Sequence, residues 1–228
     1  MSESFIKLIA FDLDDTIFPE YDFIMSGFDA VSKVMSKDFD IEQKEIASLM
    51  KSFFDHSSKN VFDKVLNYYN IEIFNENIEK YVKIFREHEP RITPYPDVIK
   101  SLVKLKKTYK LALITDGYAI SQRNKIKVLG INELFDEIIV TDEHEKSFWK
   151  PYPGSFEMLS EKTKVDCSSM AYVGDNPCKD FNIKNTHAVL TIHMQRKGFT
   201  IKKECDAPVH ADLVVDNMEQ LIDLLEKR

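Results

Sequence analysis

Several things are scarce in this chain, and each scarcity excludes something. No stretch approaches the ~18 consecutive apolar residues of a membrane-spanning helix. The first residues also lack a charged segment followed by a long apolar run, so neither a membrane span nor a secretory leader is expected. Cysteine is sparse, with only Cys167, Cys178 and Cys205, an odd number with no C-x-x-C pair. A disulfide framework is therefore not expected, and a reducing, cytoplasmic setting fits. Positive charge falls short of negative: 31 Lys and Arg stand against 38 Asp and Glu, for a net charge of −7. The nearest thing to a basic cluster, Lys104-Leu105-Lys106-Lys107, reads as the solvated face of a helix, so no nucleic-acid partner is expected. Cys205 and His210 form no zinc pattern, and His187 and His193 alternate with strand residues, so no second metal site is expected. No internal repeat or low-complexity segment is visible.

What is present is ordinary for a globular chain: 228 residues, 43% hydrophobic and 30% charged, enough for one large domain or a domain with a sizeable insert. Short apolar runs recur at 5–11, 111–115, 137–140, 170–173, 188–192 and 212–215. Helical patterns at about 97–107, 121–129, 154–162 and 217–226 separate most of them. This alternation predicts βαβ units and an α/β fold with a parallel sheet. Between about 18 and 95 the pattern is helical throughout, near 22–36, 42–56, 60–69 and 76–88, as in the spacing of Ile78, Tyr81, Val82 and Phe85. A block this long is more than a crossover. The expected organisation is a core of residues 1–17 and 96–228 with a helical insert at 18–95, whose exit is stiffened by Pro90, Pro94 and Pro96.

The first strand run ends in Asp12-Leu13-Asp14-Asp15-Thr16. Clustered carboxylates repel one another and need a cation or solvent to stay ionised, and strand ends of parallel sheets are where ligands bind. The pattern predicts a metal site at the C-terminal edge of a central strand. Three further features follow later strands: Thr115-Asp116-Gly117, Lys150 before Pro151, and Gly174-Asp175 with Asp180 five residues on. Taken singly they read as a strand residue, a solvated lysine and a turn. In this order after successive strands they suggest one active site.

In these motifs the chain resembles the haloacid dehalogenase-like hydrolase superfamily, most of whose members are phosphatases. The resemblance covers the α/β part of the chain. It implies a Rossmann-like parallel sheet core with an inserted α-helical cap after the first strand, and a Mg²⁺-dependent phosphatase acting on a small phosphorylated substrate. Asp12 would be the nucleophile and Asp14 the general acid and base. Thr115, Asp116, Gly117 and Lys150 would bind phosphate. Mg²⁺ would be held by Asp12, the Asp14 backbone carbonyl and Asp175, with Asp180 behind them ordering a water or pairing with Lys150. Dehalogenases of this fold generally lack an acid at the position of Asp14, which favours phosphate chemistry over carbon–halogen hydrolysis. The opening Phe11 to Glu20 is similar to pyrimidine 5′-nucleotidases, and Thr115 to Ile126, with Gln122-Arg123-Asn124-Lys125, to N-acylneuraminate-9-phosphatases. Neither likeness extends through the insert. Phe18, Tyr21, Phe23, Arg86 and His88 are candidates there for substrate selection, although their spacing equally suits a helical core. Trp149 is placed to line an entrance or to pack.

Overall fold

The computed structural model describes residues 6–196 and 208–227. Six strands form one wholly parallel sheet: β1 (Leu8–Phe11), β2 (Lys110–Thr115), β3 (Glu137–Val140), β4 (Met170–Gly174), β5 (Leu190–Met194) and β6 (Leu213–Val215). Their order is β3-β2-β1-β4-β5-β6. β1 is wholly buried, and β2 and β4 flank it, with Ala10 in register with both Ala112 and Tyr172. A strand covered on both faces needs a continuous apolar run rather than an alternating one, which is why Leu8-Ile9-Ala10-Phe11 reads as it does.

Helices α5 (Val98–Leu105), α6 (Ala119–Leu129), α7 (Gly154–Thr163) and α8 (Met218–Glu226) belong to the same unit as the sheet. Phe156 and Leu159 of α7 pack with Ala112, Ile114, Ile139 and Tyr172 of the sheet in one buried cluster. Two helix starts are capped in ways that can be traced to single residues. Asn217 caps α8 by accepting the Gln220 N–H at 2.9 Å, and Asp142 accepts the first N–H of α6, that of Ala119, at 2.9 Å.

The chain divides into two compact units, one of residues 1–21 and 92–228, the other of residues 22–91. Where the helical stretch interrupts the first unit, the two chain segments meet: the Tyr95 N–H donates to the Ile17 carbonyl at 3.0 Å. Arg196 ties the same place down. Its guanidinium pairs with both oxygens of Asp97 at 2.9 and 2.7 Å, donates to the Thr16 carbonyl at 3.0 Å, and lies 4.4 Å from the Tyr95 ring centroid.

The helices between are α1 (Glu20–Phe39), α2 (Gln43–His56), α3 (Val61–Tyr68) and α4 (Asn75–Glu87). The second unit is held together by aromatic packing. Phe28 contacts Phe54, Phe62 and Phe85 at centroid distances of 5.8, 6.3 and 5.9 Å, and Phe23 sits 5.6 Å from Phe85 and 4.9 Å from His88. Phe23 and His88, expected as possible selectors of substrate, are therefore part of this packing. Phe18 is fully buried in the first unit. Of the cysteines, Cys167 is free and Cys178 is disulfide-bonded, which corrects the expectation of none. Pairing follows distance in space, which sequence spacing does not report. Cys205 lies outside the described residues. Among those described, no helix is long and apolar enough to cross a membrane.

Candidate active site

The sheet order reverses between β1 and β4, since β2 and β3 lie on one side and β5 and β6 on the other. In open parallel sheets the crevice at such a reversal is the place where ligands bind. Asp12 follows β1 there and Asp175 follows β4. One carboxylate oxygen from each of Asp12, Asp175 and Asp180 lies within 4.8 Å of the others. The Asp12 N–H donates to the Val173 carbonyl at 2.8 Å, continuing the β1–β4 ladder one residue into the site.

Lys150 is the hub. Its side chain is fully buried, and its ammonium reaches Asp12 Oδ1, Asp180 Oδ1 and the Tyr172 hydroxyl, each at 2.8 Å. Asp12 and Tyr172 accept hydrogen bonds from the ammonium, and Asp180 pairs with it by charge. Burial works against the charge, yet the carboxylates of Asp12 and Asp180 hold the Lys150 proton well above its ordinary range. Burial pushes the Asp12 carboxyl up to about 6, helped by Asp180 and Asp14, while Lys150 and Lys179 pull it down. At neutral pH Asp12 is thus ionised and paired.

Around this hub the other predicted residues take distinct places. Thr115, at the end of β2, has a buried hydroxyl with no hydrogen-bond partner among the described residues. Gly117 has φ +129, a conformation side chains rarely adopt, and the Gln122 amide occupies the space a Cβ would fill. Asp116 is anchored by its side chain: Oδ1 accepts the Thr141 hydroxyl at 2.9 Å and Oδ2 accepts Lys179 at 3.0 Å. Burial opposes ionisation of Asp116, but Lys150 and Lys179 keep its carboxyl below the usual range. Asp180 Oδ2 accepts the Asn176 N–H at 2.8 Å, and its carboxylate fills the space beside Gly174 that any Cβ would need. Asp15 turns away, with φ 55°, and accepts the Glu20 N–H at 2.9 Å, capping the start of α1.

Asp14 is held separately. Lys125 Nζ lies 2.7 Å from its Oδ1 and Gln122 Nε2 lies 3.0 Å from its Oδ2. Motif reading gave no site role to these two α6 residues, nor to Tyr172, Lys179 and His193. His193 Nε2 lies 3.0 Å from the Asp175 carbonyl, which accepts only, so Nε2 carries the proton. A polar residue on the inward face of a helix or strand was the available signal: Gln122 and Lys125 stand three apart on α6 and share a face.

The donors suit a hard divalent cation. The three clustered ligand groups are all carboxylates, the oxygen chemistry Mg²⁺ prefers. The cluster contains the Asp180 carboxylate in addition to Asp12 and Asp175.

A chain from Methanocaldococcus jannaschii named glyceraldehyde 3-phosphate phosphatase is 27% identical over 232 residues, covering 97% of each chain. A protein of the same name from Methanopyrus kandleri is 25% identical over 234 residues, covering 97% of this chain and 98% of its own. The crystal structure of a HAD phosphatase from Thermococcus onnurineus superposes with a TM-score of 0.63 at 24% identity, covering 96% of this chain and 98% of that one. The family model described as haloacid dehalogenase-like hydrolase matches residues 9–188, a span that runs from β1 past the Asp175 loop, and the chain belongs to that family.

Proposed function

We propose that this protein is a Mg²⁺-dependent phosphomonoester hydrolase that acts on a small phosphorylated metabolite through an aspartyl-phosphate on Asp12. The observation that carries this reading is the separate bonding of two carboxylates two residues apart, Asp12 to Lys150 and Asp14 to Lys125. One carboxylate can then attack phosphorus while the other handles the leaving-group proton.

In the first step an Asp12 oxygen forms a bond to phosphorus as the ester P–O bond breaks, and Asp14 gives its proton to the departing oxygen. In the second, Asp14 takes a proton from water, whose oxygen attacks phosphorus and displaces the Asp12 carboxylate. The Thr115 hydroxyl and the backbone N–H groups of Asp116 and Gly117 hold phosphate oxygens. Lys150, bonded to Asp12 and Tyr172 and paired with Asp180, contributes its charge and the orientation of Asp12. Asp12, Asp175 and the Asp14 carbonyl are the proposed metal ligands, and the Asp180 carboxylate is close enough to order a metal-bound water or to join them. When bound, the ion offsets repulsion between an anionic nucleophile and an anionic ester.

For the substrate we favour a sugar phosphate over a nucleoside monophosphate, in line with the triose phosphate named for the archaeal relatives. The similarities to pyrimidine 5′-nucleotidases and N-acylneuraminate-9-phosphatases keep both classes in the test. Carbon–halogen hydrolysis is the rival chemistry, and the half-buried Asp14, held at both carboxylate oxygens, has no use in it, because a halide leaves unprotonated. A cytoplasmic location belongs to this reading, and cell fractionation checks it.

The deciding experiment is phosphate release from a panel of sugar phosphates, nucleoside monophosphates and p-nitrophenyl phosphate, with Mg²⁺ and with chelator. Asp12→Asn should lower turnover at least about a thousandfold while the fold is kept. Chelator-insensitive turnover retained in that variant would sink the mechanism. Halide release from a 2-haloacid without metal would select the rival.

A further inference from the structure

Resting on the phosphatase reading above, we propose that Lys125 and Gln122 form a clamp that positions Asp14 for proton transfer to the leaving group. Both are buried, at 4% and 2% exposure, and both project from the first two turns of α6. Each holds a different oxygen of the same carboxylate: Lys125 Nζ is 2.7 Å from Oδ1 and Gln122 Nε2 is 3.0 Å from Oδ2. The Gln122 amide donates also to the Asp116 carbonyl, so the Asp14 carboxylate is tied to the backbone that follows β2. These acceptors fix which end of the amide faces the site, and Gln122 Oε1 is left buried without a partner. The Lys125 ammonium lies 5.8 Å from the Phe18 ring centroid, and Phe18 is bridged to Asp14 in the turn after β1. Its position is set from two sides.

A helix that needed only to pack would place apolar side chains at 122 and 125, as it does at Ile126 and Leu129, because burying an ammonium and an amide is costly. The cost is intelligible if the groups serve Asp14. As Asp14 releases its proton to the departing oxygen, negative charge develops on a carboxylate that already faces an ammonium and an amide N–H. Donors fixed in advance where charge appears lower the barrier most. Lys150 does the corresponding work for Asp12, and none of the contacts above is shared between the two lysines.

The clamp predicts a dependence on the leaving group. Phenyl phosphate and p-nitrophenyl phosphate have nearly one shape, but the nitrophenolate departs with little help from an acid. Their kcat/KM values report phosphorylation of Asp12 alone. Lys125→Met should lower kcat/KM for phenyl phosphate about tenfold or more, part of the roughly hundredfold or greater contribution of a positioned acid, and for the nitrophenyl ester no more than about threefold. Lys125→Arg should recover part of the difference. Gln122→Leu should show the same bias at smaller size, and it decides the question if Lys125→Met does not fold. Equal losses on both esters, as a purely structural role would give, overturn the clamp while leaving the phosphatase reading intact. Wild-type protein inert toward both esters overturns that reading and the clamp with it.

Discussion

Two ion pairs of the same length stand in the two units, and they do different things. Lys51 and Asp55 of α2 meet at 2.8 Å with side chains 52% and 38% exposed. Lys150 and Asp12 also meet at 2.8 Å, with side chains 0% and 6% exposed. The contrast extends to the units around them. In the helical unit the interior is aromatic and the ion pairs lie outside it, as Lys80–Asp38 and Arg91–Asp29 do as well. The α/β unit has exposed pairs too, such as Lys100–Glu219, but at the sheet's C-terminal edge Lys150, Asp12 and Asp180 are charges in the interior. An exposed pair is screened by water and contributes little. A buried one has already lost its hydration, so everything depends on its partners. Distance alone does not separate the two cases; burial does.

The comparison can be broken most directly at Lys150. Lys150→Met leaves Asp12 and Asp180 without their shared cation, and unfolding by denaturant should show a loss of about 3–5 kcal/mol. A loss below about 1 kcal/mol would mean that the hub is no more important than a surface pair.

A smaller effect is expected from pH. Burial raises Asp12 from 3.8 to about 6, so the folded chain binds this proton more tightly than the unfolded chain does. The associated stability is present below the unfolded value and is lost as pH rises through the folded one. In metal-free protein the Asp12 carboxyl should titrate near 6 by NMR. Added Mg²⁺ should move that midpoint down, because a nearby cation favours the ionised form. An unchanged midpoint at saturating Mg²⁺ would count against Asp12 as a ligand.

The smallest change should come from Lys51→Ala, which denaturant unfolding should place within about 0.5 kcal/mol of wild type. A cost comparable to that of Lys150→Met would erase the distinction between the two regions.

The parallel core was legible because β1, β2 and β4 are buried on both faces and therefore spell uninterrupted apolar runs. The helical block was legible from spacing of the kind that puts Tyr81 into its interior. Asp12 and Asp14 stood out because carboxylates clustered after an apolar strand repel one another, whereas Thr115, Lys150 and Asp175 read singly as ordinary residues and drew notice only through their order along the chain. Tyr172 did not, since its hydroxyl hides within an otherwise ordinary strand and matters only through Lys150. Gln122 and Lys125 were visible as letters but not as partners of Asp14, because α6 shows its inward face only once it is docked. Cys178 taught the same lesson, since pairing across space leaves no trace in spacing.

The hydrogen bond from Tyr95 to Ile17 has a consequence beyond local geometry. A chain that departs and comes back within one bond of its exit makes the intervening stretch a cassette. Its length and sequence are free to diverge while the strands that carry Asp12 and Thr115 feel no change in tension.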